Sequence, residues 1–149
     1  MKRTPVQSLA AVALAFAVSA AVAGCGSSTP STLSAKDYKT KANAICKTAS
    51  DDIKKLGAAF NAQTTEAEIS VALTKAADRI VKEVADLKKL AEPTSLTKDA
   101  DALYAAELTA TDTIKTQGIN LIKSGNDPFK DADTKARALG LTSCASSSA

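Results

Sequence analysis

From Tyr38 to Phe60 the apolar positions are Tyr38, Ala42, Ile45, Ala49, Ile53, Leu56 and Phe60, always three or four residues apart. At about 100° per residue they share one face of an α-helix. Ser34-Ala35-Lys36-Asp37 just upstream has the form of a capping box, with Asp in place of the usual Glu. A first helix is therefore predicted over 35–61, with Cys46 at the margin of its apolar face. Thr65-Glu66-Ala67-Glu68 is a second capping box. Ile69, Leu73, Ala76, Ile80, Val84, Leu87 and Ala91 follow as a narrow stripe, and Pro93 prevents continuation, so the second helix is predicted over 66–91.

The third helix is predicted over 98–124, ending at Gly125, the usual residue for a left-handed C-terminal cap. Its main stripe is Leu103, Ala106, Ala110, Ile114 and Leu121, and Gly118 marks a close helix approach or a weak point. A second band of Tyr104, Leu108, Ile119 and Ile122 widens the apolar arc. That band is either an exposed patch for a protein partner or an apolar ligand, or is covered by a short fourth helix and the C-terminal segment; coverage is the preferred reading. Glu107 and Gln117 flank the main stripe and read as boundary residues reaching solvent. Asp127-Pro128 opens that fourth helix, which carries Phe129, Ala132, Ala136 and Leu139 and is ended by Gly140. No strand-like alternation, fixed-period repeat or long heptad seam occurs. The expectation is an all-α fold: an antiparallel up-down four-helix bundle over 34–145, three helices long and the fourth short, with a frayed tail at 146–149.

The first residues have a different pattern. Lys2 and Arg3 precede an apolar run from Leu9 to Ala23, which ends in Val22-Ala23-Gly24-Cys25. About 15 apolar residues are short for a bilayer span, which needs roughly 20, so residues 1–24 read as a cleaved export signal. The order aliphatic, small, small, Cys resembles the bacterial lipobox. By that resemblance Cys25 is acylated and becomes the first mature residue, anchored in the membrane by its lipid. The polar residues 25–33 then form a flexible tether, and the domain sits at the outer face of the cytoplasmic membrane. Removing 1–24 lowers the formal side-chain charge from +3 to +1. No basic, aromatic-studded face remains to follow a nucleic-acid backbone.

With Cys25 acylated, Cys46 and Cys144 remain, and in an oxidising compartment two leftover cysteines most simply pair. In an up-down arrangement Cys46 lies about 22 Å below the end of the first helix, and the fourth helix descends about 18 Å before Cys144, so the two reach similar depth. A redox or metal site is the rival reading. Against it, the two are 98 residues apart rather than in a C-x-x-C arrangement, and the chain has no histidine.

Tyr38-x-x-x-Ala42-Asn43-Ala44-Ile45-Cys46, Leu90-Ala91-Glu92-Pro93 and Gly140-Leu141-Thr142-Ser143-Cys144 together resemble a set of small actinobacterial lipoproteins and secreted helical proteins. The resemblance spans the mature chain and implies the Cys46–Cys144 bridge. Where those proteins often have two prolines, this chain has Glu92-Pro93. It implies no catalytic or binding residue.

The absence of histidine removes the base from Ser-His-Asp or Cys-His catalysis and the Glu-x-x-His pairs of a carboxylate-bridged metal bundle. No glycine motif for phosphate occurs. Acidic pairs such as Asp131 with Asp133 fall in first turns, where the helix dipole favours them. The chain is expected to be a non-enzymatic extracytoplasmic lipoprotein, without cofactor or metal, acting by surface interaction with an envelope protein partner. The alternative is a helical module that binds a small apolar ligand.

Overall fold

A computed structural model describes residues 32–145; the export signal, Cys25, most of the tether and the tail 146–149 lie outside the described residues. All regular structure among the described residues is helical: α1 (Ala35–Ala58), α2 (Glu66–Leu87), α3 (Thr97–Gln117), α4 (Ile119–Ser124) and α5 (Lys130–Leu139). No described helix is long and apolar enough to cross a membrane. α2 packs against both α1 and α3, α3 also packs against α5, and α4 touches α2 and α3.

Local chemistry accounts for the helix starts. Thr65 and Glu68 form the complete capping box: the Glu68 N–H donates to Thr65 Oγ1 at 3.3 Å, and the Thr65 N–H donates to Glu68 Oε2 at 2.8 Å. At α1 the box is only half made. The Asp37 N–H donates to Ser34 Oγ at 3.1 Å, but the shorter Asp37 carboxylate accepts from the Ser34 hydroxyl rather than from its backbone. Asp127 accepts from the Phe129 N–H at 2.9 Å. Regular helix then begins at Lys130, slightly later than predicted.

The helix ends depart from the predictions in three places. α1 stops at Ala58 rather than 61, because Asn61 draws the chain into a turn: its side chain accepts from the Gln63 N–H at 2.8 Å, and its N–H donates to Thr64 Oγ1 at 2.8 Å. α2 stops at Leu87 rather than 91. Its last carbonyls tighten into shorter bonds, Lys89 N–H to Asp86 O and Leu90 N–H to Leu87 O, while Ala91 O is taken by the Leu33 N–H at 2.7 Å. Leu33 packs against the core, so the end of the tether belongs to the domain. The third predicted helix is two helices. Gly118 has φ 53° and ψ −129°, a backbone conformation in which a Cβ is strained, and α4 leaves α3 at that residue.

α1 is rotated from its predicted face. Tyr38, Ala42, Cys46 and Ala49 are buried with Ser50, while Ile45 is only half-buried, so Cys46 sits on the buried face rather than at its margin. Cys46 and Cys144 form a disulfide with their Cα atoms 4.8 Å apart. Asn43, one turn before Cys46, holds the returning chain. Its amide donates to Gly140 O at 3.2 Å and its carbonyl accepts from the Ser143 N–H at 2.9 Å. Gly140 has the left-handed conformation expected of a helix cap, with the Leu141 N–H reaching back to Ala136 O at 2.8 Å.

Candidate functional site

An open groove of about 740 Å³ lies where the end of α1, the first half of α2, the end of α3, α4 and the 125–129 loop meet. Ile53, Leu73, Ile80, Ile114 and Phe129 form its apolar wall, and Asn126 and Asp127 stand at its edge. Each helix boundary contributes. The early stop of α1 leaves Phe60 beside the groove at 41 % exposure, and the break at Gly118 redirects α4 so that Leu121 is buried while Ile122, 54 % exposed, stands on the rim. Such a wall of aliphatic and aromatic side chains with a few polar groups is the usual form of a small-molecule site.

The predicted band on the third helix does not form one surface. Tyr104 is in the core, Leu108 and Ile119 are half-buried, and only Ile122 reaches the groove. Tyr104 is buried because its hydroxyl has partners there. It donates to Glu92 Oε1 at 2.8 Å, and since that uses its one proton, Tyr38 donates to Tyr104 Oη at 2.8 Å. Burial, these bonds and the nearby Glu92 push the Tyr104 phenol far above its ordinary value, and burial also raises Tyr38. Glu92 thus has a structural task at the position where the resembling sequences have a proline: it closes a hydrogen-bonded chain from α1 through α3.

A second polar cluster lies around the disulfide. Glu83 on α2 is 1 % exposed, with its Oε1 unpartnered. A Glu83 carboxylate oxygen and the sulfurs of Cys46 and Cys144 lie within 4.8 Å of one another. Burial pushes the Glu83 carboxyl up to about 7, against the pull of Arg79. Glu107 on α3 is 4 % exposed with Oε2 unpartnered; burial first, then the charges of Glu83 and Asp133, pushes it up to about 8. Glu107 is therefore not the solvent-reaching boundary residue expected of it, whereas Gln117 is exposed. Arg79 gives its Nε to Asp52 at 3.0 Å and keeps a buried, unpartnered Nη1, and Asp133 is paired with Arg137 at 3.2 Å.

Glu83 and Glu107 carried a readable signal that the apolar stripes overlook. Glu83 falls three residues after Ile80 and four before Leu87; Glu107 falls four after Leu103 and three before Ala110. An acidic residue in step with a buried stripe is marked for burial by its spacing. What the spacing does not carry is the third dimension, which sets Glu83 against two cysteines from the far ends of the domain. Comparison with family models, curated proteins and solved structures found no match to this chain.

Proposed function

We propose that this chain is an exported, lipid-anchored binding protein, without catalytic chemistry, whose helical domain holds an apolar or amphipathic small molecule in the groove between α1, α2 and α4. The observation that carries the reading is the groove itself: about 740 Å³, apolar along its wall and open at an edge that bears Asn126 and Asp127. That volume falls in the range of small-ligand sites. We read the helices as an antiparallel up-down bundle of three long members with α5 as the short fourth, an arrangement favoured by the short 59–65 and 88–96 connections. Surface interaction with an envelope partner loses its expected location, because Tyr104 is turned inward.

Titration with N-phenyl-1-naphthylamine, whose fluorescence rises in apolar surroundings, tests the site. Saturable one-to-one binding is expected, weakened about tenfold or more by Ile122→Asp, a rim change that removes apolar contact without disturbing the core. Linear, unsaturable uptake, or equal affinity in the variant, would remove the groove from the account.

A further inference from the structure

We propose that the Cys46–Cys144 disulfide masks a metal site: on reduction, the two thiolates and the Glu83 carboxylate hold a borderline-soft divalent cation such as Zn²⁺.

The third ligand is what leads to this. A structural disulfide has no need of a carboxyl group beside it, and an apolar side chain at position 83 would fill the same space without the cost of burying an acid. Instead Glu83, at 1 % exposure, turns an oxygen to within 4.8 Å of both sulfurs and leaves Oε1 without a hydrogen-bond partner. In a tetrahedral site with Zn–S about 2.3 Å and Zn–O about 2.1 Å, ligand atoms lie about 3.5 Å apart. The three groups are therefore nearly in place once the sulfurs are no longer bonded to each other. Ordinary side-chain rotation of two cysteines whose Cα atoms are 4.8 Å apart supplies the remaining movement.

Charge also closes. Two thiolates and one carboxylate carry −3, the cation +2, and the nearby Arg79, with its buried unpartnered Nη1, the last +1. Glu107 is pushed up to about 8 and stays protonated at neutral pH, adding no charge to the balance. The cation's fourth position is left to water. Thiolate ligands select zinc-like cations over calcium or magnesium.

The redox step is ordinary exchange. A dithiol reductant gives two electrons and two protons to the disulfide, which becomes two thiols, while the reductant closes to its own cyclic disulfide. Zn²⁺ then displaces the two thiol protons, and the Glu83 proton where present, into solvent. Reoxidation expels the cation and restores the bridge. Oxidation state would thereby exchange a covalent clasp between α1 and the C-terminal segment for a coordinate one at the same place.

The test uses the exported chain reduced with a water-soluble phosphine, which takes up one oxygen from water as the disulfide gains two electrons and two protons. Co²⁺ serves as the spectroscopic probe and Zn²⁺ competes for it. Expected are one Co²⁺ per chain, a thiolate-to-cobalt charge-transfer band and the intense visible bands of four-coordinate cobalt, with neither band in the oxidised chain. Glu83→Gln should weaken Zn²⁺ affinity about tenfold or more while retaining the thiolate band. Zinc should also raise the melting temperature of the reduced parent more than that of Glu83→Gln, which separates a folded site from two cysteines in an unfolded chain. No thiolate band, equal affinity in parent and variant, or binding that leaves the melting temperature unmoved would each overturn the proposal.

Discussion

At Glu83 and Glu107, burial works against charge, and this sets the direction of their effect on stability. Both carboxyls have an ordinary value of 4.5 and are pushed up to about 7 and about 8 in the fold. Between pH 4.5 and 8 the folded chain keeps protons that the unfolded chain has released, so the stability they contribute is greatest below 4.5 and falls as pH rises through the folded values. For Glu83 the loss is about 3 kcal/mol. Asp86 acts in the opposite sense. Lys82 and Lys89 hold it down to about 2, so its contribution is present above its ordinary 3.8 and is lost in strong acid. The oxidised chain in chelator-containing buffer should therefore unfold at higher urea near pH 5 than at pH 8.5, and Glu83→Gln should flatten that slope. A midpoint equal at both pH values, or higher at pH 8.5, would contradict the burial argument. Arg79, Asp133 and Glu107 are the charged groups that bear on this pair, and only Arg79 opposes the trend.

The elements show where periodicity is sufficient and where it is not. Thr65 with Glu68, and Gly140 with Ala136, behave as their sequence motifs require, because capping is settled within a single turn. Gly118 was legible as a weak point but not as a break. Apolar residues continue in step through Ile119, Leu121 and Ile122, and a glycine within a stripe is compatible with either outcome. The packing of α4 on α2 and α3 selects the break. Gly118→Ala should then destabilise the domain by about 1–2 kcal/mol, from backbone strain rather than from a clash, since a Cβ there would meet only Ser70 Oγ at 4.0 Å. Urea unfolding measures it directly. A variant as stable as the parent would mean that α3 runs on through position 118 at no cost.

At the scale of the molecule, one covalent bridge joins residues 98 apart. In the chain-entropy model it stabilises the fold by roughly 4–5 kcal/mol, comparable with the whole stability of a marginal domain. The alanines of the core, among them Ala42, Ala49, Ala77 and Ala136, bring helices close but bury little area each, so the bridge matters more here than in a leucine-rich core. Under the proposed anchoring, the domain is held at the membrane by Cys25 alone. Cys25→Ala should move the chain from the membrane fraction to the medium without changing its affinity for N-phenyl-1-naphthylamine. Retention of the variant in the membrane fraction would place the anchor elsewhere.

The sequence by itself determined that the chain is helical, where most helices begin, that Gly125 and Gly140 cap helices, and that Cys46 pairs with Cys144. These depend on spacing within a few residues or on there being two cysteines left to join. Only the tertiary structure decided that Tyr104 turns inward to Glu92 and Tyr38, that Cys46 sits on the buried face of α1, that Glu107 is enclosed, and that Glu83 meets the disulfide. The physical reason is the same in each case. A helix has more than one face that tolerates burial, and which of them is buried is set by neighbours distant in the chain, which no local period encodes. The groove belongs with these, because it exists only where α1, α2, α3 and α4 end or turn beside one another.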